Sequence, residues 1–424
     1  MSKRLVCLLF VFAFIIPVFS QENKELQESF FEAEYFLMNE DYPDALIYYL
    51  ALYEKLPENA NLAYCIGVCY LNIPLKKNLA VDYLVNASKN MSARHREGSI
   101  TQTTAPYEAL YDLGRAYRIN FKFDKAIDAF TRYLETLLPD DRENLDFVKH
   151  EIAACDRAKA LTSTPISYTE ENMGDLFNDE KDNFNPLIST DGKSFAYEVA
   201  LKFYNAVMFS RNANGKWTAP LNITPELQLD GDFYISCLSS DGKLLLLSMD
   251  DNVNSDIYAS SFDGHNWSKA LKLNKNINTK YWESHGFISQ DGNSLIFASD
   301  RPGGFGGLDL YISRKTDGDW SSPVNLGPEI NTQFNDDRPF LINNGKTVFF
   351  SSQGHNNIGG YDIFRSDLES NGLWSKPKNL GYPVNTPDDD IFFMPVSDGK
   401  SGYYSRYKVT GGFGKEDIYK ITFK

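Results

Sequence analysis

Five times in its second half the chain sets a turn dipeptide at nearly one interval, and that interval leaves few folds open. Asp191-Gly192, Asp241-Gly242, Asp291-Gly292, Asn344-Gly345 and Asp398-Gly399 stand 50, 50, 53 and 54 residues apart. Asp-Gly and Asn-Gly favour tight hairpins because both residues tolerate positive φ. An apolar strand follows each, and other landmarks keep step. A second strand ends in Asp256-Ile257-Tyr258, Asp309-Leu310-Tyr311, Asp362-Ile363-Phe364 and Asp417-Ile418-Tyr419, while the first unit departs with Val207-Met208-Phe209. Trp217, Trp267, Trp320 and Trp374 come next, then Asn222-Ile223, Asn325-Leu326-Gly327 and Asn379-Leu380-Gly381. Ile-Asn-Thr follows at Ile277 and Ile330, with Val384-Asn385-Thr386 in its place later. Four strands per unit of about 50 residues is the arithmetic of propeller blades.

The ends of this stretch predict how the ring closes. The fifth unit stops at Ile421-Thr422-Phe423-Lys424, before an outer strand. Residues 166–174 stand alone ahead of the first unit, and Asn172-Met173-Gly174 matches Asn325-Leu326-Gly327. This N-terminal strand is therefore expected to complete blade five, which removes two sheet edges. The expectation is a five-bladed all-β propeller over residues 162–424.

Ahead of Thr162-Ser163-Thr164-Pro165 the apolar period is helical. Ala33, Phe36, Ala45, Tyr49 and Pro57 mark one unit; Gly67, Tyr70, Ala80, Leu84 and Ala87 repeat it; Gly114, Tyr117, Ala126 and Phe130 repeat it again. The small residue recurs after 34 residues and then after 47, the longer step holding a polar insertion near 91–104. Ala or Gly on a first helix lets the second approach, and Tyr or Phe fills the gap. This period predicts a tetratricopeptide-type α-hairpin array over residues 21–161, capped by a helix near 141–161. The whole is an α + β multidomain chain.

Residues 1–20 read as a signal peptide: basic Lys3 and Arg4, an apolar run over 5–18, then Val18-Phe19-Ser20 before Gln21. The run is shorter than the roughly 20 residues that span a bilayer. Cys7 lies too early for lipidation, so the expected product is exported and periplasmic, with no membrane span of its own. A net charge of −15 repels phosphate backbones and argues against nucleic acid as a partner. Cys65 and Cys69, four apart on a predicted helix, are poorly placed to bridge. Buried thiols are expected there and at Cys155 and Cys237. The five His are scattered, with no zinc spacing, so neither metal nor cofactor is assigned.

Five-bladed propellers can hydrolyse glycosides, which takes two carboxylates about 5–5.5 Å or about 6.5–9.5 Å apart. The predicted inner strands, Asn185-Pro186-Leu187-Ile188, Tyr234-Ile235-Ser236-Cys237, His285-Gly286-Phe287-Ile288, Pro339-Phe340-Leu341-Ile342 and Phe393-Met394-Pro395-Val396, carry no acid, and no catalytic residue is assigned. Just ahead of them stand Asp182, Asp232, Glu283, Asp336 and Asp390, each eight or nine residues before its turn landmark. Repetition places them as a ring at one channel mouth. They are read either as carboxylates accepting backbone N–H groups in tight loops or as a site for a cation or cationic ligand. An enzyme places different residues in different blades, whereas repetition suggests architecture. The tryptophans read as inter-blade packing rather than a sugar platform. Gly303-Gly304, Gly306-Gly307, Gly359-Gly360 and Gly411-Gly412 read as hairpin glycines, not a phosphate loop.

Tyr111-Asp112-Leu113-Gly114-Arg115-Ala116-Tyr117 and Phe123-Asp124-Lys125-Ala126-Ile127 resemble the last helical repeat of a group of exported proteins. Phe297-Ala298-Ser299-Asp300-Arg301-Pro302-Gly303-Gly304 and Gly306-Gly307-Leu308-Asp309-Leu310-Tyr311 resemble that group's TolB-like, WD40-like propeller repeat. The group includes the OmpA-like peptidoglycan-associated component of type IX secretion. Its members often continue into an OmpA-like peptidoglycan-binding domain, whereas this chain ends with its propeller. The two modules, a concave helical groove and a rigid propeller face without an acid in its inner strands, point to a non-enzymatic scaffold or adaptor of the cell envelope. Its helical groove would meet envelope or outer-membrane proteins, its propeller a glycan or peptidoglycan, with peripheral outer-membrane association. The alternative is a carbohydrate-active five-bladed propeller enzyme.

Overall fold

Small residues set the helix pairs. Gly67 faces Leu84 and Gly114 faces Phe130, and in each case a Cβ on the glycine would lie 2.5 Å from the opposing side chain. The helices so paired are α1 (Leu9–Met38) with α2 (Tyr42–Lys55), α3 (Ala60–Asn72) with α4 (Ala80–Ala87), and α5 (Glu108–Ile119) with α6 (Phe123–Leu134). Pro43 opens α2, where a missing N–H costs nothing. Asn59 caps α3, its side chain accepting from Leu62 N at 3.1 Å. The insertion between α4 and α5 is tied back to α3, with Ala60 N donating to Thr103 O at 3.0 Å and His95 Nε2 2.7 Å from Asn61 Oδ1. The helix that follows these pairs, α7 (Arg142–Thr162), joins α5 through a buried ion pair between Arg118 and Glu151.

The computed structural model describes residues 9–229, 231–250, 254–396, 399–408 and 410–424, with side chains from Lys24 onward. Lys3, Arg4 and Cys7, on which the reading of residues 1–20 as a signal peptide draws, and Asp398 of the last turn landmark, lie outside the described residues. Contacts divide the chain into two units, Met1–Ile152 and Ala153–Lys424. No helix among the described residues is long and apolar enough to cross a membrane. Cys65, Cys69, Cys155 and Cys237 are buried thiols outside any disulfide. Burial pushes those of Cys69 and Cys237 up to about 12, far from thiolate reactivity.

After the helices the strands form five separate antiparallel sheets, one per blade. The innermost strands are Asn183–Ile188, Asp232–Leu238, Glu283–Ile288, Asp336–Ile342 and Met394–Pro395, and neighbouring ones pack around a ring that closes between blades five and one. The closure is the one the sequence implies. Tyr168–Asn172 pairs antiparallel with Glu416–Phe423, running from Tyr168 opposite Phe423 to Asn172 opposite Tyr419. Glu170 fastens this strand to Tyr404 and Lys408 of blade five.

The recurring residues have one structural use each. Asp309, Asp362 and Asp417 accept backbone N–H groups from the glycine-rich loop before them, at 2.7 Å from Phe305, 2.9 Å from Ile358 and 2.8 Å from Phe413. Each also takes an amide N–H from the outer-strand asparagine, Asn325, Asn379 or Asn172. In blade two a lysine, Lys272, replaces that asparagine and pairs with Asp256. The asparagine of Ile-Asn-Thr and its counterparts in Val384-Asn385-Thr386 and Phe177-Asn178-Asp179 grip the backbone of their own blade on both sides: Asn278 holds Ile257, Asn331 holds Leu310, Asn385 holds Ile363 and Asn178 holds Ile418. Trp267 packs edge-on against Phe209 of the preceding blade, with centroids 5.1 Å apart.

The turns depart from expectation in one respect. In the first three units the glycine alone takes positive φ, at 69°, 68° and 74°. The aspartate acts through its side chain instead: Asp191 Oδ1 accepts Lys193 N at 2.9 Å and the Ser189 hydroxyl at 2.6 Å. These are longer loops closed from Ser189 to Ser194, not two-residue hairpins, so a carboxylate that collects donors suffices.

Candidate functional site

The five repeated acids do not share one register. Counted back from the turns, Glu283, Asp336 and Asp390 are equivalent, while Asn183 and Phe233 hold their place in blades one and two. Asp182 and Asp232 lie one residue earlier; Asp232 is exposed and Asp182 accepts Glu416 N at 3.1 Å. The three equivalent acids are each clamped by the threonine four residues before. Thr279, Thr332 and Thr386 donate their backbone N–H at 2.7, 2.6 and 2.5 Å, and their hydroxyls at 2.7, 3.0 and 2.9 Å. Ser299 and Arg301 add donors to Glu283, and Ser352 adds one to Asp336. Burial pushes Asp336 and Asp390 up to about 7 against the pull of these bonds. In blade one the pair is inverted, with Asn183 donating to Asp179. These carboxylates join each inner strand to the loop that leads into it.

The inner strands also begin earlier than expected, so acids do belong to them: Asp336 and Asp337 open the fourth, Glu283 the third and Asp232 the second. Two residues beyond the clamp the ladder breaks in a bulge in blades one, three and four. There Asn185, His285 and Arg338 all have φ of 48°. Left-handed backbone is uncommon outside glycine and costs roughly 1–2 kcal/mol per residue. Bulges of this kind re-aim a side chain and gather beside functional sites. The corresponding residues in blades two and five are Ile235 and Phe392, so the position differs in every blade.

These side chains converge across the channel. Arg338 of blade four reaches Asn185 of blade one, a non-neighbouring blade, with Nη1 3.4 Å from Oδ1. Arg338 also lies over the Phe392 ring of blade five, 6.0 Å from its centroid. Asn185 donates to Glu198, which is wholly buried on the second strand of blade one and also accepts Ile235 N of blade two at 3.4 Å. His285 of blade three sits 3.0 Å from Asp337 Oδ1, which also accepts Arg338 N at 2.7 Å. Blades one, three and four thus supply the polar side chains of one cluster, blade two adds a backbone N–H and blade five an aromatic ring.

Its two acids are pushed in opposite directions. Burial drives Glu198 up to about 8, against the pull of Asn185, Ile235 N and Arg338. Burial also works to raise Asp337, but His285 and Arg338 outweigh it and hold its carboxyl below the usual range. An ionised Asp337 accepts the Nδ1–H of His285, and Nε2 of that ring is buried with no hydrogen-bond partner among the described residues. No group of three or more metal-ligating side chains occurs among the described residues. A separate cavity of about 360 Å³ flanks blade one, lined mainly by apolar residues such as Tyr197, Val199 and Met208.

No protein-family profile matches this sequence, and no curated protein matches it. Among solved structures it is similar to TolB from Acinetobacter baumannii, at 18% identity and a TM-score of 0.37 over 57% of this chain and 55% of that one. The chain thus spans little more than half the length of that protein. It is also similar to a putative TolB from Agrobacterium tumefaciens, at 16% identity and a TM-score of 0.35 over 61% of this chain and 98% of that one. A third similarity is to an α-L-arabinofuranosidase from Podospora anserina in complex with cellotriose, at 13% identity and a TM-score of 0.36 over 62% of this chain and 98% of that one.

Proposed function

We propose that this chain is a non-enzymatic scaffold of a gram-negative cell envelope, exported by its leader. Its tetratricopeptide-type helical array engages a protein partner, and its propeller channel holds a second ligand. One observation carries the reading. The two acids at the channel centre, Glu198 and Asp337, are 0% and 9% exposed and already engaged by Asn185, Ile235 N, His285 and Arg338 N. Glycoside hydrolysis asks two carboxylates to face the sugar from opposite sides. Carboxylates wrapped in donors orient their neighbours instead.

A second reading, a carbohydrate-active enzyme, is favoured by the opposite displacement of those two acids, since such pairs mark acid and base roles. Incubation of the full chain with polysaccharides and peptidoglycan fragments separates the two. The scaffold reading expects no turnover. Turnover that Glu198→Gln or Asp337→Asn abolishes would establish the enzyme.

A further inference from the structure

The guanidinium of Arg338 is held by few protein contacts. Among the described residues it makes one long hydrogen bond, 3.4 Å to Asn185 Oδ1, and rests against Phe392. An arginine offers five N–H donors in a planar fork. The nearby acids leave that fork open. Glu198 is engaged by Asn185 and Ile235 N, and Asp337 Oδ1 takes the backbone N of Arg338 and the ring of His285. Close by, Nε2 of His285 is buried without a hydrogen-bond partner among the described residues, a costly state that a ligand can relieve. The left-handed backbone at both residues, φ 48°, fixes where these two groups stand.

We propose that the channel binds a carboxylate with a neighbouring N–H or O–H, the carboxylate lying on the fork of Arg338 and the donor meeting Nε2 of His285. Arginine and carboxylate match bidentately, and the aromatic support of Phe392 pre-orients the fork. Charge selects a carboxylate over a phosphate. Asp337 already cancels the charge of Arg338, so a monoanion adds one uncompensated charge to the site and a dianion adds two. The same chemistry occurs at the C-terminal residue of a peptide and in a sugar acid. The inference rests on the binding reading above.

Calorimetric titration of the full chain tests it with N-acetyl-alanyl-alanine, its C-terminal amide, propionate, glucuronate and inorganic phosphate. The peptide acid or glucuronate should bind, and whichever binds tighter identifies the source. The amide should bind at least about tenfold more weakly than the acid, and propionate more weakly than a carboxylate with a donor. Arg338→Gln should lower affinity for the acid about tenfold or more and leave the amide unaffected, with Arg338→Lys in between. Equal binding of acid and amide, preference for phosphate, no binding of any probe, or unchanged affinity in Arg338→Gln overturns the proposal. If circular dichroism shows Arg338→Gln unfolded, the acid-against-amide comparison on the natural chain decides alone. Glycan turnover is read separately. Failure to bind carboxylates without turnover sinks this inference and leaves the scaffold reading standing.

Discussion

Glu198 lies in a strand, Phe195-Ala196-Tyr197-Glu198-Val199, whose side chains are all buried. Burial raises its carboxyl to about 8 from an ordinary value of about 4.3. A raised carboxyl stabilises the fold fully below about 4.3, and that contribution is lost as pH rises towards 8. Glu198→Gln mimics the protonated form at every pH. Denaturant titrations at pH 5 and pH 9 should therefore show the natural chain losing stability relative to the variant as pH rises. An identical gap at both pH values would refute the assignment. The threonine clamps make a second residue-scale case. Thr332→Val keeps the shape and removes the hydroxyl that reaches Asp336, so it should cost about 1–3 kcal/mol, seen as a lower denaturation midpoint at unchanged slope. No loss would mean the acid finds water instead. The sequence displays these acids because they repeat. It hides Asn185, His285 and Arg338 because they do not. The signal available was the column six residues before each turn landmark, where Asn185, Ile235, His285, Arg338 and Phe392 differ inside strands that otherwise agree. Glu198 was also visible as an acid inside an apolar strand.

Among elements, the closing strand was fully legible, since a unit lacking its outer strand and an orphan strand at the other end imply each other. Its hold on the ring combines five paired residues with the latch of Glu170 on Tyr404 and Lys408. Deleting 166–174 strips the partner from Glu416–Phe423 and bares a long sheet edge. The variant should melt lower than the natural chain and associate on size-exclusion chromatography. A monomer with the natural melting temperature would show that closure does not need this strand. Helix pairing was equally readable, because a glycine at the crossing has a steric reason. Gly114→Ala sets a Cβ 2.5 Å from the Phe130 ring and should destabilise by about 1–3 kcal/mol through overpacking, measured by denaturant unfolding. Hairpin detail was less legible. The Asp-Gly pairs located the turns, but the register of the inner strands depends on bulges. A bulge is a backbone event with no composition of its own, and for that reason the acids of blades one and two were aligned one residue out.

For the molecule as a whole, the period of each half was enough to separate helices from blades, since spacing records architecture. On the proposed scaffold reading, two unlike surfaces are candidates for recognition. One is the channel cluster. The other is a stripe on α1, where Phe31, Tyr35 and Met38 are 54%, 58% and 76% exposed. Steps of four and three place these residues on one helix face. Large exposed apolar side chains in such a row mark protein contacts more often than solvent-facing surface. A scaffold with two such sites should lose them one at a time. In pull-downs from native gram-negative envelopes, Phe31→Ser with Tyr35→Ser should abolish capture of a protein partner and leave carboxylate titration unchanged. Arg338→Gln should do the reverse. These three side chains are exposed or channel-facing rather than core, so circular dichroism should match the natural chain in both variants. Loss of both activities in either variant would mean that one site governs the other, and capture that survives the α1 substitutions would place the protein contact elsewhere on the chain.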